Sequence, residues 1–212
     1  YCDEDHNVYW SFINVFYKIM LDNLNNYNIV LASKSPRRQE LLKGIGVDFT
    51  ILTKDVDESY PERLPLIDVA PFLSLKKAKA FEEAELPENY MVITADTVVI
   101  VDNEILGKPA DREDAVRMLN MLSGKVHKVI TGVTVHTKEK TKTFSVTSKV
   151  EFDQLDMEEI DHYVDGFRPY DKAGAYGVQE WIGYIGVCNV EGSYYNVMGL
   201  PTQKLYKVLK SF

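Results

Sequence analysis

A short polar segment, Ser33–Arg38, stands where an apolar stretch gives way to a pattern typical of a helix. Its two arginines, Arg37 and Arg38, would fall in the first helical turn. Cations there are unfavourable by about 0.3–1 kcal/mol each, because free N–H groups already make that end of a helix positive. Two arginines and two serine hydroxyls in this place favour a bound anion, and a phosphate chain suits such donors. The alternative is that both arginines point to solvent and pair with Glu40 or another surface carboxylate.

One carboxylate, Asp96, interrupts the apolar run Met91–Val101. Burying a carboxylate in a strand is costly unless it is paired or bound to a metal. Asp96 is therefore expected to act as a general base or metal ligand at the edge of a cleft, or else to cap a neighbouring loop at a strand end. Glu58, beside Asp57 on the preceding acidic loop, could add an oxygen for a hard cation such as magnesium or manganese. Adjacent acids in a loop are, however, usually only solvated.

Two lysines could contribute positive charge to the same site. Lys108 precedes Pro109, whose ring restrains the backbone and would help the lysine to aim at a fixed anion. Lys77 lies within a helical pattern. Either lysine is more often a surface charge than a ligand.

The segment Asp171–Gln179 contains glycines and alanines that let the backbone approach a flat ligand closely. Tyr176 could stack on a base or form a wall of its pocket. Gln179 offers both donors and an acceptor to the edge of a base. A glycine-rich segment is most often only a turn, so each of these signals is weak when taken singly.

The elements that must position these residues are a mixture of strand-like and helical patterns. Strands are predicted at Tyr27–Ala32, Val47–Leu52, Met91–Val101, Glu104–Leu106, Val126–Thr137, Thr141–Asp153 and Tyr184–Val190. Helices are predicted at Pro36–Gly46 (with Ser35 as N-cap), Pro65–Glu85, Asp111–Ser123, Met157–Val164 and Asn196–Phe212. Strands and helices do not alternate strictly, and no GxGxxG segment occurs. The pattern therefore favours an α/β fold with a mixed sheet over a doubly wound Rossmann sheet.

Charge and composition limit the possible partners. The 212 residues include 24 Lys and Arg against 32 Asp and Glu, a net charge of −8. This balance disfavours a binder of duplex nucleic acid, which needs a basic face, but a pocket with a few local cations can still hold a small anion. The 45% of hydrophobic and 26% of charged residues are ordinary for a globular chain and exclude disordered, collagen-like and disulfide-dense classes.

The cysteines and the N-terminal residues bear on location and domain organisation. Cys2 and Cys188 form no zinc motif, which favours a reduced, cytoplasmic protein. No apolar run reaches the roughly 18 residues of a membrane span. Residues 1–26 are predicted to be an extension of no functional role, either with an amphipathic helix at Tyr9–Leu21 or with the natural chain starting at Met20. Residues 27–212 are predicted to form a single catalytic domain.

Six blocks stand in order along the chain: Leu31–Leu42, Ala95–Val99, Gly107–Pro109, Leu122–Gly124, Asp171–Gln179 and Gly192–Pro201. Together they resemble the Maf family of nucleoside triphosphate pyrophosphatases. No single block would be specific, but six blocks in family order are, and the likeness covers residues 28–212.

The resemblance implies an elongated mixed sheet with flanking helices and two lobes around a cleft, similar to inosine triphosphate pyrophosphatases. It implies a nucleotide-housecleaning enzyme that cleaves a nucleoside triphosphate between the α- and β-phosphates, uses Mg²⁺ or Mn²⁺ and forms a homodimer. Asp96 matches the family's proton acceptor. Arg37, Thr97 and Gln179 match positions linked to specificity in the branch acting on dTTP and UTP. A sister branch acting on 7-methyl-GTP carries tryptophan where Arg37 stands, which favours the pyrimidine branch.

The predicted site thus has three parts. Asp96 is the catalytic residue, and Glu58 and Asp96 are the metal ligands; whether Asp96 acts as base or as ligand stays open. The residues predicted to bind substrate are Ser33, Ser35, Arg37, Arg38, Lys77, Thr97, Lys108, Lys172 and Gln179. Gln179 would pair with the edge of uracil or thymine. The alternative function is a nucleotide-binding regulator of septum formation and cell division without turnover.

Overall fold

The computed structural model describes residues 20–212, so the expectations for residues 1–19 lie outside the described residues. Seven strands form one sheet: β1 (Asn28–Leu31), β2 (Thr50–Ile51), β3 (Tyr90–Val101), β4 (Glu104–Leu106), β5 (Val126–His136), β6 (Thr141–Phe152) and β7 (Val187–Glu191). The strand order is β2-β1-β3-β5-β6-β7, and β4 pairs with β3. β1 runs parallel to β2 and β3, and the other pairings are antiparallel. The mixed α/β sheet predicted from the sequence is confirmed.

Helices flank this sheet. They are α1 (Pro36–Gly44), α2 (Val69–Lys79), α3 (Arg112–Leu122), α4 (Met157–Phe167), α5 (Trp181–Gly186), α6 (Tyr194–Val197) and α7 (Thr202–Leu209). Within residues 20–212, no helix has the length and apolar character needed to cross a membrane.

On one face of the central strand β3, the buried apolar side chains form two clusters. Met91, Ile93 and Ala95 pack into a cluster that includes side chains of α1 and α7. Farther along the same face, Val99 and Val101 pack into a second cluster with α3 and α4. Because alternate residues of a strand share a face, Thr97 falls between the two clusters. The molecule therefore has two lobes that meet at the middle of β3.

One edge of β3 is interrupted at the same place. β1 pairs with β3 from Tyr90 to Ile93, and β4 pairs with it from Val99 to Val101. Residues 94–98 pair with β5 on the opposite edge, but no described strand covers them on this one. Ligand sites of open α/β sheets form where strands end and the chain diverges. The open edge therefore marks the place for a cleft.

Two predicted elements near the C-terminus are wrong in part. The strand predicted at Tyr184–Val190 begins only at Val187, and its first half belongs to α5. Gly183 of α5 also packs closely on the preceding segment, a contact that periodicity does not reveal: a methyl group there would lie 1.9 Å from the carbonyl oxygen of Val178. The helix predicted at Asn196–Phe212 is two helices, α6 and α7, because Gly199 has a φ of 108° and Pro201 cannot continue a helical ladder.

Two further elements are shorter than predicted. The helix expected over Pro65–Glu85 contains only α2 as regular α-helix. Beyond it, the Glu85 carboxylate accepts a hydrogen bond from the Glu82 N–H at 2.7 Å, and this bond begins a separate 3₁₀ turn. Of the strand expected over Val47–Leu52, only Thr50 and Ile51 pair with β1.

Residues before β1 also contribute to the core. Leu21 and Leu24 are buried in the same cluster as α7, and the Asn23 side-chain amide donates to the Leu209 carbonyl at 2.8 Å. The division of the chain near residue 27 stays a prediction.

Gly132 lets α2 lie close against the sheet. It stands opposite Asp96 in the β3–β5 register, and a methyl group there would lie 2.2 Å from the backbone nitrogen of Pro71. We expect Gly132→Ala to lower the free energy of unfolding by about 2–3 kcal/mol, because backbone atoms must move to admit the added carbon. Chemical denaturation monitored by circular dichroism measures this change.

Gly166, exposed near the end of α4, provides the matched control, since a methyl group there meets no atom within 4 Å. Gly166→Ala should raise the free energy of unfolding by about 0.5–1 kcal/mol through helix propensity. Equal stability of the Gly132→Ala protein and the wild type would contradict this account of the packing.

Candidate active site

A cleft of about 710 Å³ opens at the uncovered edge of β3. All of the residues predicted to bind substrate or metal line it, together with Asp96. Seven Lys or Arg residues and four Asp or Glu residues contribute to the lining, although the whole chain has a net charge of −8. Positive charge is thus concentrated where the sheet is open, and this suits an anionic ligand.

Asp96 lies at the centre of a three-member ion cluster. The Lys77 ammonium, on α2, contacts Asp96 Oδ1 at 2.5 Å and Glu58 Oε1 at 2.8 Å. The Asp96 residue is only 8% exposed, so pairing with Lys77 offsets the cost of burying its charge. The loop-capping alternative for Asp96 finds no support in these contacts.

Glu58 is the more exposed acid of the cluster. Partial burial by itself would raise the pKa of Glu58, but the hydrogen bond and charge of Lys77, with the charges of Lys108 and Arg38, bring it below its ordinary value. Glu58 is therefore ionised at neutral pH. The neighbouring Asp57 turns away from the cleft and pairs with Lys76 at 3.1 Å.

Arg38 is held by three acceptors on the wall of the cleft. Its Nε donates to the Gly199 carbonyl at 2.8 Å, its Nη1 to the Ala95 carbonyl at 2.8 Å and its Nη2 to Thr97 Oγ1 at 3.0 Å. Ala95 lies on the open edge of β3, where none of the described strands takes up its carbonyl. A guanidinium group has five N–H donors, so these bonds leave two of them for a ligand. Burial lowers the pKa of Arg38, and the charge of Asp96 opposes that change.

Arg37 starts a chain of ion pairs that joins α1 to the glycine-rich segment. Its Nη1 lies 3.1 Å from Asp171 Oδ2. The Lys172 ammonium, which is buried, contacts Asp171 at 2.7 Å and Glu180 at 3.1 Å. Burial alone would raise the pKa of Asp171, but its pairing with Lys172 and Arg37 lowers it. Of the two arginines, Arg37 thus does pair with a carboxylate, as the alternative interpretation expected, but its partner is Asp171 rather than Glu40.

Tyr163 fixes Glu180, the last member of this series of ion pairs. Its hydroxyl donates to Glu180 and accepts from the Gly177 N–H at 3.0 Å. The hydroxyl is buried and bound to a carboxylate, and both effects raise the pKa of Tyr163. The segment that carries Gln179 is therefore tied to α4 at one end and to Arg37 at the other.

Gln179 and Tyr176 form another part of the cleft wall. The side-chain oxygen Oε1 of Gln179 is buried and has no hydrogen-bond partner among residues 20–212. Leaving such an acceptor unpaired costs about 1–3 kcal/mol, so it is suited to meet a ligand donor. The Tyr176 hydroxyl bonds to His127 Nε2 at 2.8 Å. Burial lowers the pKa of His127 to about 4, so this histidine supports the wall as a neutral group.

The two serines and Lys108 complete the lining. Ser35 occupies the predicted N-cap of α1, but its side chain makes no capping bond. The hydroxyl of Ser33 instead accepts from the Ser35 N–H at 3.2 Å. Lys108 is exposed at the rim of the cleft. The Ser35 hydroxyl and the Lys108 ammonium thus remain for a ligand.

Two carboxylates could hold a metal ion here. Glu58 and Asp96 converge on one ammonium group, so their oxygens face a common position. No group of three or more His, Cys, Asp or Glu side chains arranged for a metal exists in the described part of the chain. Magnesium is commonly held by one or two carboxylates together with substrate phosphates and water. The donor set fits such an ion when a polyphosphate is present.

Several residues that support the site were not predicted from the sequence. Asp171, Glu180 and Tyr163 were not identified as supports of Lys172 and the glycine-rich segment, and Gly199 was not identified as an acceptor for Arg38. Asp171 and Gly199 lie within two of the six family blocks, and this position is the sequence signal that indicates them. Nothing in the spacing indicated Tyr163, which reads as an apolar position of α4.

Comparisons with known proteins agree with this geometry. The profile of a family described as "Maf-like protein" matches residues 28–212. The "dTTP/UTP pyrophosphatase" of Bacteroides thetaiotaomicron is 56% identical over 192 residues, which cover 90% of this chain and 99% of that protein. The protein of the same name from Porphyromonas gingivalis (strain ATCC 33277) is 53% identical over 195 residues, covering 91% of this chain and 98% of that protein.

A solved structure supports the fold independently. The Ham1 protein of Staphylococcus aureus matches with a TM-score of 0.52 and 19% identity, over 87% of this chain and 98% of that one. At this level of identity the likeness concerns the fold alone. The family profile spans almost the whole described chain, these two relatives are more than half identical to it, and five of the six blocks contribute to the lining of one cleft, so the chain belongs to the Maf family.

Proposed function

We propose that this protein hydrolyses dTTP and UTP between the α- and β-phosphates, releasing a nucleoside monophosphate and pyrophosphate as a nucleotide-housecleaning enzyme. The observation that carries the proposal is the cation-lined cleft in which Lys77 holds Asp96 at the open edge of β3. The names of the relatives, which are 46–56% identical, agree with it.

The cations of the cleft bind the triphosphate. Arg38 offers the two N–H groups that its protein acceptors leave free, and Lys108 offers its exposed ammonium. Arg37 and Lys172 now share Asp171, and phosphate oxygens would compete with that carboxylate for them. Charge-assisted bonds of this kind are about twice as strong as neutral ones. The Ser33 and Ser35 hydroxyls lie at the same end of α1, where an anion is favoured.

Asp96 accepts the proton of the attacking water. Lys77 holds its Oδ1, which leaves Oδ2 to receive that proton as the water oxygen attacks the α-phosphorus. The bond to the bridging oxygen then breaks, and the electron pair leaves with pyrophosphate. Lys77 and Lys108 stabilise the charge that moves onto this leaving group. We therefore assign the base role to Oδ2, whereas Oδ1 pairs with Lys77.

A divalent ion, Mg²⁺ or Mn²⁺, would be held by Glu58 and Asp96, the two carboxylates that contact the Lys77 ammonium. When bound, it supplies further positive charge to the phosphates. The oxygen-only donor set supports a hard cation.

Gln179 selects the base. Its unpartnered Oε1 can accept the N3–H of uracil or thymine, whereas cytosine presents an acceptor at that position. An unpaired acceptor rejects a base that lacks the matching donor more strongly than a loose fit would. Arg37 and Thr97 complete the proposed specificity set.

The remaining parts of the proposal concern assembly and location. The single catalytic domain at residues 27–212 acts as a homodimer in the cytoplasm on free nucleotides, without a duplex nucleic acid or a membrane as partner. The net charge of −8 supports the exclusion of duplex nucleic acid.

Pyrophosphate release from a panel of nucleoside triphosphates tests the function directly. With Mg²⁺ or Mn²⁺ present, we expect release from dTTP and UTP, little from GTP or 7-methyl-GTP, and none with EDTA. Asp96→Asn should lower kcat by about 10²–10⁴-fold, the usual contribution of a positioned base. Asp57→Asn is the matched control on a carboxylate outside the cleft and should leave the rate unchanged.

Two outcomes would contradict the proposal. Release of single phosphate would move the cleavage to another bond. Nucleotide binding without turnover in the wild type would instead favour the regulatory role.

Replacing Gln179 tests the selection of the base. We expect Gln179→Ala to lower kcat/KM for dTTP and UTP by about tenfold, since one hydrogen bond in a buried site is lost, and to leave the poor activity on GTP unchanged. Gln203→Ala, an exposed glutamine on α7, controls for nonspecific effects. An equal loss on every nucleotide would show that Gln179 does not read the base.

A further inference from the structure

The Gly192–Pro201 block has no role in the proposed chemistry, yet two of its backbone carbonyls accept hydrogen bonds, one from a side chain of the cleft wall and one from a residue behind it. The Gly199 carbonyl accepts from Arg38 Nε at 2.8 Å. The Asn196 carbonyl accepts from the hydroxyl of Thr131 at 3.0 Å. Thr131, on β5, lies directly opposite Thr97 in the β3–β5 register. These contacts join the block to Arg38 through two threonines.

Each hydrogen bond in the series from Asn196 to Arg38 has a donor and an acceptor that cannot be exchanged. A carbonyl oxygen only accepts, so Thr131 must spend its single hydroxyl proton on Asn196. In the bond between Thr97 Oγ1 and Thr131 Oγ1, of 2.9 Å, Thr97 is therefore the donor. Having spent its own proton, Thr97 can only accept from Arg38 Nη2, at 3.0 Å. Because the Asn196 carbonyl takes the proton of Thr131, it also fixes the orientation of the Thr97 hydroxyl, whose oxygen accepts from Arg38.

We propose that Thr131 is a positioning residue for Arg38, acting through the hydroxyl of Thr97. Thr131 is fully buried and is absent from the lining of the cleft, so it acts without touching a ligand. Its effect is to keep one Nη2 proton of Arg38 occupied and to leave the remaining two N–H groups of the guanidinium for a phosphate. Thr97 accordingly orients Arg38 in addition to its place in the proposed specificity set.

Asn196, whose carbonyl is the last acceptor in this series of hydrogen bonds, is held in place by further bonds. The Asn196 side-chain amide donates to the Val129 carbonyl and to Ser148 Oγ, both at 3.0 Å. The Asn196 N–H donates to Ser193 Oγ at 3.2 Å. Asn196 is fully buried, and so its carbonyl cannot turn away from Thr131. Because the Asn196 carbonyl is a fixed acceptor, the hydroxyls of Thr131 and Thr97, here called the hydroxyl relay, have a single orientation. This favours preorganisation of Arg38.

The inference rests on the proposed function only in taking the ligand of Arg38 to be a polyphosphate. Inorganic tripolyphosphate is therefore the probe, because its binding is measurable whether or not a nucleotide is hydrolysed. Isothermal titration calorimetry compares the wild type with Thr131→Val, a substitution that keeps the shape and removes the hydroxyl. We expect the dissociation constant to rise about tenfold, the effect of weakening one bond to a charged group.

Thr134→Val is the matched control. Thr134 is also fully buried on β5, but its hydroxyl bonds to Ser74 and Thr143, at 3.0 and 2.9 Å, away from Arg38. It should lose thermal stability as Thr131→Val does and retain the wild-type affinity for tripolyphosphate. Thr131→Ser keeps the hydroxyl and should restore the affinity to within about twofold of the wild type.

A double-mutant comparison tests the relay itself. Because Thr131 acts through Thr97, the double variant of Thr97→Val and Thr131→Val should bind no more weakly than Thr97→Val alone. Additive losses, or equal affinities of Thr131→Val and Thr134→Val, would overturn the proposal. Absence of nucleotide hydrolysis by a wild type that binds tripolyphosphate would reject the proposed function and leave this inference to be decided by the affinities.

Discussion

The interrupted edge of β3 is the constraint on which the site depends. β1 covers this edge up to Ile93 and β4 covers it from Val99, so the backbone between them must find partners elsewhere. Arg38 takes up the free carbonyl of Ala95 and thereby brings the first turn of α1 against the middle of the strand. Asp96 and Thr97 fall in the same open stretch. The cleft is thus a direct consequence of where two strands end.

Charge within the cleft is organised before any ligand binds. Lys77 is paired with two carboxylates, and Asp171 is shared by Arg37 and Lys172. The Lys77–Asp96 pair is largely buried, and removing one partner of a buried pair typically costs about 3–5 kcal/mol, so this pair fixes both side chains in place. Arg38 differs, because neutral oxygens hold it and no carboxylate within residues 20–212 pairs with it. It can therefore meet a phosphate without first giving up an ion pair.

Much of the fold and of the site could be predicted from the sequence. The long strand containing Asp96 was evident from its apolar run, and the arginines at the start of α1 indicated an anion by their unfavourable place in the helix. The glycine-rich segment and its Gln179 were also recognised, and all these residues line one cleft. Local pattern was sufficient here because each signal lies within a few residues of chain.

Other features depend on contacts between distant residues. The helix α5 takes the place of the first half of an expected strand and packs its Gly183 on the Val178 backbone, and alternation of apolar residues cannot show such an approach. The support of Lys172 by Glu180 and Tyr163 arises only when α4 is brought beside the glycine-rich segment. The relay from Thr97 to Thr131 likewise needs the register of β3 and β5. Three-dimensional pairing, rather than residue type, defines these interactions.

The central claim is that water attacks the α-phosphorus while Asp96 accepts its proton. Hydrolysis of dTTP in water enriched in the heavy isotope of oxygen tests it most directly, with both products analysed by mass spectrometry. The claim predicts one labelled oxygen in the nucleoside monophosphate and none in pyrophosphate. Label in pyrophosphate would place the attack on the β-phosphorus and contradict the geometry assigned to Asp96.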